Sequence, residues 1–126
     1  MATRIRQITV DCHDAYALAS FWSAVLGFVD DPDDPNHPED PEAVILDPQG
    51  LHPGLLFIPV PEGKTVKNRL HIDLAPHKSQ DRDAEVAALL ERGATHADVG
   101  QSDDVTWTVL ADPEGNEFCV LSARDR

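Results

Sequence analysis

The residues of this chain with side chains suited to chemistry lie in segments where polar and apolar residues alternate. Side chains of a β-strand point alternately to the two faces of a sheet, so residues two apart share a face. If the sheet curls, alternation directs a set of polar and aromatic side chains toward one cavity: Gln7, Thr9, Asp11, His71, Asp73, Trp107, Glu117 and Cys119. Such a mixed lining is typical of pockets that bind small molecules.

His71 and Glu117 are the candidate catalytic residues within this set. An imidazole titrates near neutral pH, and a carboxylate can act as a second acid/base group, which suits proton abstraction next to a carbonyl. Each residue also has a structural alternative. His71 is then a core histidine bonded to a neighbouring carboxylate, and Glu117 is a residue exposed after a turn. Trp107 offers a flat stacking surface or belongs to the core. Cys119 is either a nucleophile or an inert buried thiol, and the inert thiol is the preferred interpretation.

The elements that must position these residues follow from periodicity and end signals. A helical spacing of apolar residues predicts a helix from the N-cap Asp14 to about Leu26, with Gly27 as its stop. A second helix is predicted at about Asp81–Arg92. The predicted strands are Ile5–Cys12, Ala43–Leu46, Leu55–Val60, Arg69–Leu74, Thr95–Val99, Val105–Ala111 and Glu117–Leu121. The acidic, proline-rich stretch 30–42 is predicted to be a solvated connecting loop, with a lid or a cation-binding loop as the alternative.

An internal repeat organises these elements. Asp47-Pro48-Gln49-Gly50 recurs as Asp112-Pro113-Glu114-Gly115, and Gln7-Ile8-Thr9-Val10 recurs as His71-Ile72-Asp73-Leu74. Each half reads as a strand, a helix and further strands joined at a turn. The sequence therefore predicts a single α+β domain, 1–126, built from two βαβββ repeats at about 4–61 and 68–122. We expect their sheets to form a curled mixed sheet around a cavity.

Composition narrows the class of function. The chain has 126 residues, enough for one domain with its own core, and a formal net charge of -13. This charge argues against nucleic acid and against anionic membrane surfaces as partners. Cys12 and Cys119 lie far apart in a chain whose first residues have no apolar signal segment, which predicts a cytoplasmic location.

The chain resembles the glyoxalase/bleomycin-resistance/dioxygenase (vicinal oxygen chelate) superfamily, in its glyoxalase-like domain branch. The likeness spans about residues 5–122. The resembling residues are Asp14, Phe21-Trp22, Leu26-Gly27, the run Leu70-His71-Ile72-Asp73-Leu74, and the run Asp112-Pro113-Glu114-Gly115-Asn116-Glu117-Phe118. The resemblance implies a homodimer and a small-molecule ligand or substrate. Some members are lyases, isomerases or dioxygenases that use a divalent metal held by His and Glu, and others sequester antibiotics without a metal.

The family's metal-ligand positions are mostly changed in this chain. The resemblance places them at Gln7, near Phe57, at His71 and at Cys119, and only His71 matches. Since catalytic metal sites usually need three protein ligands, no metal is expected; a bound divalent metal would have to use His71, Glu117 and Cys119. Two hypotheses follow. The first is a protein that binds a small organic molecule in the sheet cavity without the usual metal site. The alternative is a metal-assisted or His-based lyase, isomerase or dioxygenase that uses His71.

Overall fold

The computed structural model describes residues 1–98, 100 and 107–125, which form two compact units, Met1–Gly63 and Lys64–Arg126. Each unit contains one helix and four strands in the order βαβββ, which confirms the predicted α+β repeat. Each sheet is mixed and open, with the first strand of the unit parallel to the last.

The first unit carries its sheet in the order β1-β4-β3-β2. The elements are β1 (Gln7–Cys12), α1 (Ala15–Leu26), β2 (Val29–Asp30), β3 (Ala43–Leu46) and β4 (Gly54–Pro59). β1 runs parallel to β4, and the other pairs are antiparallel. The two-residue strand β2 was not predicted, because so short a segment has no periodicity to detect.

Helix α1 begins and ends where its capping residues predict. The carboxylate of Asp14 accepts a hydrogen bond from the Ala17 N–H at 3.1 Å, which satisfies one of the free N–H groups of the first turn. Gly27 adopts φ 71°, a left-handed conformation that suits glycine, and its N–H donates to the carbonyl of Ser23. Leu18 and Trp22 on the apolar stripe are buried, and the helix packs against β3 and β4.

The second unit repeats this plan with shorter strands, in the sheet order β5-β8-β7-β6. The elements are β5 (Ile72–Leu74), α2 (Arg82–Glu91), β6 (Thr95–His96), β7 (Thr108–Ala111) and β8 (Glu117–Val120). Helix α2 has Asp81 as its N-cap and Arg92 as its C-cap, so its predicted limits are confirmed. Within the described ranges, no helix combines the length and apolar character that crossing a bilayer requires.

All four predicted strands of the second unit are longer than the strands observed among the described residues. Residues 69–71 precede β5, because its pairing with β8 begins only at Ile72, opposite Phe118. The predicted strands Thr95–Val99 and Val105–Ala111 extend into Val99, Val105 and Thr106, which lie outside the described residues.

The aspartate of each Asp-Pro-x-Gly segment holds its turn by accepting backbone hydrogen bonds. Asp112 is only 3% exposed and accepts from the N–H groups of Glu114 at 2.9 Å and Asn116 at 3.0 Å, and from the Asn116 side chain. The matching Asp47 accepts from the backbone N–H groups of Gln49, Leu51 and His52. These aspartates therefore shape the hairpins of both units.

Candidate functional site

The polar face of the first unit lies along the edge strand β1. Gln7, Thr9 and Asp11 are exposed and share one face, as alternation predicts. In the parallel register Thr9 lies opposite Leu56 and Asp11 opposite Ile58, and both of these apolar residues are half-buried. This face therefore combines a polar edge with an apolar neighbouring strand.

The polar face of the second unit brings together Asp73 on β5 with Glu117 and Cys119 on β8. Asp73 lies directly opposite Cys119, and Glu117 is two residues earlier on the same strand and therefore on the same face. The Cys119 side chain is hydrogen-bonded to the Asp73 carboxylate. Burial raises the pKa of the Cys119 thiol, and the charge of Asp73 raises this pKa further. The thiol is therefore protonated at neutral pH, and a protonated thiol is a weak nucleophile.

Glu117 fastens the segment that precedes β5, residues 64–68, to this face. One carboxylate oxygen is 2.9 Å from Nζ of Lys64, and the other accepts the backbone N–H of Asn68 at 3.0 Å. Burial by itself would raise the pKa of Glu117, but the hydrogen bonds from Lys64 and Asn68 outweigh it and hold the pKa below its usual range. Glu117 is therefore ionised at neutral pH, and its contacts are those of a structural anchor.

His71 lies immediately before β5 with an exposed imidazole. Its Nε2 is 2.9 Å from the backbone oxygen of Asn68 and 3.0 Å from Nζ of Lys67. The candidate pair His71 and Glu117 is thus joined through the backbone of Asn68, whose N–H contacts Glu117 and whose carbonyl contacts His71. The two side chains belong to one hydrogen-bonded cluster without touching each other.

Trp107 lies one residue before β7 and is 40% exposed. Because it is outside the paired strand, alternation does not determine the face to which it belongs. Its exposed ring nevertheless meets the first requirement for stacking on a ligand, whereas the other tryptophan, Trp22, is buried beside Phe21.

The side chains of the second unit do not fit a divalent metal. Among the residues that the structure describes, no three His, Cys, Asp or Glu side chains are grouped as metal ligands. Of the set His71, Glu117 and Cys119, the carboxylate is already paired with Lys64. A metal there would also meet the ammonium of Lys67, and charges of like sign repel.

The register shows on which faces of β4 the residues around Phe57 lie in the first unit. Phe57 lies opposite Val10 and is fully buried on the face that carries Cys12, away from Gln7 and Thr9. Leu56, opposite Thr9, takes the place that Cys119 takes opposite Asp73 in the second unit. Leu56 and Phe57 are neighbours but lie on opposite faces of β4, because a shift of one residue reverses the face of a strand.

Sequence reasoning missed Lys64, Lys67 and Asn68, which complete the cluster. In the sequence they follow β4 and precede β5, in a segment that has no hydrophobic periodicity. No pattern therefore assigned them to a face of a sheet. A usable signal did exist: the chain has only three lysines, and two of them are Lys64 and Lys67. With Arg69, they give the segment 64–71 three cationic side chains and no carboxylate, which indicates a local concentration of positive charge.

Two open, mixed sheets built by a repeated βαβββ unit define the glyoxalase/bleomycin-resistance/dioxygenase class of fold. A family model described as "Glyoxalase-like domain" matches residues 7–121, and the chain belongs to this family.

Solved structures of this class share the fold at low sequence identity. A glyoxalase/bleomycin resistance protein/dioxygenase family enzyme from Burkholderia phytofirmans PsJN superposes with a TM-score of 0.68 at 18% identity, over 95% of this chain and 98% of that one. A mutant of the fosfomycin resistance protein FosX from Listeria monocytogenes, in complex with Mn(II) and 1S,2S-dihydroxypropylphosphonic acid, gives 0.68 at 12% identity, over 98% and 94%. The structure titled "Oxidase ChaP-H2" gives 0.65 at 21% identity, over 97% and 94%. No protein with a curated description matches the sequence of this chain.

Proposed function

We propose that this glyoxalase-like protein binds a small organic molecule at the polar face of its second unit, without the His/Glu metal site used elsewhere in the superfamily. The observation that carries the proposal is the cluster around Glu117. There, a lysine ammonium and a backbone N–H occupy the two carboxylate oxygens. His71, Asp73, Trp107 and Cys119 are the proposed ligand contacts of this unit, and Gln7, Thr9 and Asp11 are proposed contacts of the first.

The chemistry of this face supports binding. It combines hydrogen-bonding groups of both kinds with the partly exposed aromatic ring of Trp107 in the same unit, a combination that gives a small molecule both orientation and contact area. The FosX structure is a complex with a small organic phosphonate, so this fold is compatible with a ligand of that size.

The test combines elemental analysis with a ligand screen. Protein purified without a metal-affinity tag is soaked in zinc, manganese, nickel or iron, dialysed and analysed, and tryptophan fluorescence is then followed against a library of small organic compounds. We expect metal far below stoichiometry and ligands that quench the fluorescence of Trp107. Trp107→Phe should abolish the quenching, whereas Trp22→Phe should keep it, provided that this core variant remains folded by circular dichroism. A stoichiometric metal that disappears in His71→Ala would overturn the proposal.

A second candidate function is acid–base catalysis by His71, favoured by its exposed imidazole beside Lys67. A nearby ammonium stabilises the negative charge that develops when a proton is removed next to a carbonyl. Deuterium incorporation into a panel of 2-hydroxy ketones in heavy water, followed by NMR, measures this activity directly. Catalysis by the wild type that is lost in His71→Ala and kept in His77→Ala would establish it. Equal rates in both variants would exclude it.

A further inference from the structure

The second unit contains a lysine whose charge has no carboxylate partner. Although the chain has 23 acidic and only 10 basic residues, Lys67 makes no ion pair within the described part of the chain. Lys64, three residues earlier, is paired with Glu117. The Lys67 ammonium instead lies 3.0 Å from Nε2 of the His71 imidazole. In so acidic a chain, an ammonium that forms no ion pair among the described residues is available to an external anion.

The two contacts of His71 require opposite hydrogen-bonding roles of the same ring atom, Nε2. Nε2 lies within hydrogen-bond distance of both the Asn68 carbonyl and the Lys67 ammonium. A carbonyl accepts, so the first contact needs a proton on Nε2, whereas an ammonium donates, so the second needs a lone pair there. A single ring nitrogen satisfies only one of them at a time. If Lys67 donates to another acceptor, Nε2–H is free to donate to Asn68, and each group has a suitable partner.

The backbone on both sides of Lys67 is fastened, so its ammonium is presented from a defined position. Glu117 binds the side chain of Lys64 on one side and the N–H of Asn68 on the other. The same Asn68 peptide contacts His71 through its carbonyl. Holding the chain at these points reduces the conformational entropy that a lysine on a free loop would lose when it binds a ligand.

We infer that Lys67, beside His71, receives an anionic oxygen of the ligand, and that the ligand is an organic carboxylate. The inference deepens the proposed function and rests on it. The same charge explains both preferences of the cluster: the ammonium of Lys67 repels a divalent cation and attracts a carboxylate. The carboxylate takes the hydrogen bond that Lys67 directs at Nε2, and His71 then donates to Asn68.

The test compares benzoate with benzamide, which has the same shape without the charge, by NMR titration of the full chain at constant ionic strength in sodium chloride. We expect benzoate to shift the amide signals of Asn68 and His71 in a saturable manner and benzamide to leave them in place. Lys67→Gln should raise the Kd for benzoate about tenfold or more, because a charge-assisted hydrogen bond is lost. Lys67→Arg should keep most of the affinity, and Lys78→Gln, which changes the remaining lysine, should bind as the wild type does.

The other outcomes separate the two proposals. Equal shifts with benzamide, or an unchanged Kd in Lys67→Gln, would overturn the inference while leaving small-molecule binding intact. Shifts with inorganic phosphate but not with benzoate would overturn the assignment to carboxylates. If neither probe moved Asn68 or His71, the inference would fall, and the fluorescence screen with neutral compounds would still decide the proposed function by itself.

Discussion

The two units of this chain share a frame but differ at matching positions of their polar faces. Glu117 in the second unit corresponds to Gly54 in the first, and Cys119 corresponds to Leu56, as the registers of both sheets show. A Cβ at Gly54 would lie 2.9 Å from the backbone oxygen of Ile45, so the first unit has no room for a side chain there. The comparison shows that a duplicated frame does not require duplicated chemistry, since these two positions carry a carboxylate and a thiol in the second unit only.

Each unit also uses one polar side chain to hold a connecting segment, but in different places. In the first unit the Asn36 amide donates to the carbonyl of Val44 and accepts its N–H, which continues the pairing of β3 beyond the end of β2. Its side chain also donates to Asp30. In the second unit Glu117 holds its segment on the polar face itself. The first arrangement supports the acidic connector, whereas the second also builds the candidate site.

The largest expected effect separates the two Asp-Pro-x-Gly turns. Asp112→Ala should lower the free energy of unfolding by about 3 kcal/mol, because the buried carboxylate of Asp112 is lost and the part-buried N–H groups of Glu114 and Asn116 lose their acceptor. Asp47→Ala, at the more exposed turn of the first unit, should have a clearly smaller effect. Urea denaturation measures both. Equal losses would mean that the two turns contribute alike and that burial does not distinguish them.

The connector of the first unit gives the next effect in size. Asn36→Ala should lower the free energy of unfolding by about 1–2 kcal/mol, because Val44 loses hydrogen bonds to both of its backbone groups. His37→Ala, at the neighbouring exposed position, is the control and should change it little. A loss in the control as large as that in Asn36→Ala would assign the effect to the loop in general.

The anchor of the second unit should show a dependence on pH. Glu117→Gln should lower the free energy of unfolding by about 1 kcal/mol near neutral pH, since the pair with Lys64 loses its charge. Because the pKa of Glu117 is lowered on folding, its contribution is fully present above the unfolded pKa of about 4.3 and is lost as pH falls through the folded pKa. Urea denaturation of both proteins from about pH 7 downward should show a constant gap that closes only below about pH 4.3.

Glu91→Gln on the exposed end of α2 is the matched control for that pH series. Its stability should follow that of the wild type at every pH. If the gap between the wild type and Glu117→Gln widened in acid, the sign of the linkage would be reversed and the anchor would not be an ionised carboxylate.

The smallest expected effect concerns the thiol of Cys119, whose corresponding residue in the first unit is Leu56. In a Cys12→Ser background, Asp73→Asn should increase the rate of Cys119 alkylation by iodoacetamide a few-fold at mildly alkaline pH. The cause is the loss of a negative charge that raises the pKa of the thiol. The midpoint of the rate against pH should move downward in Asp73→Asn and stay unchanged in Asp83→Asn on α2. A slower reaction in Asp73→Asn would show that Asp73 activates the thiol.

Much of the frame could be predicted because its signals are local. The limits of α1 follow from Asp14 and Gly27, and the predicted strand Ala43–Leu46 is β3 as observed. The predicted strand at 69–74 was too long, because its start depends on where β8 offers a partner. Pairing partners are distant in the chain, so the ends of strands are less visible in a sequence than the ends of capped helices.

The candidate site was predictable only where strands carry it. Alternation correctly grouped Gln7, Thr9 and Asp11 on one face, and Asp73 with Cys119 on another. The lysines of the cluster acquire their positions through hydrogen bonds to a strand many residues later in the chain. No local pattern contains that information, although the scarcity of lysine in the chain marks the segment.

The parallel pairing of first and last strands has a consequence for biosynthesis. Gln7 pairs with Gly54 and Ile72 with Phe118, so the first strand of each sheet joins it through contacts that span nearly a whole unit. During translation, the first strand of a unit, β1 or β5, stays unpaired until its partner, β4 or β8, has been synthesised. Joining distant segments costs loop-closure entropy before the contacts stabilise them, and such topologies fold slowly. We therefore expect the pairing of first and last strands, rather than helix formation, to limit how fast the nascent chain acquires its native form.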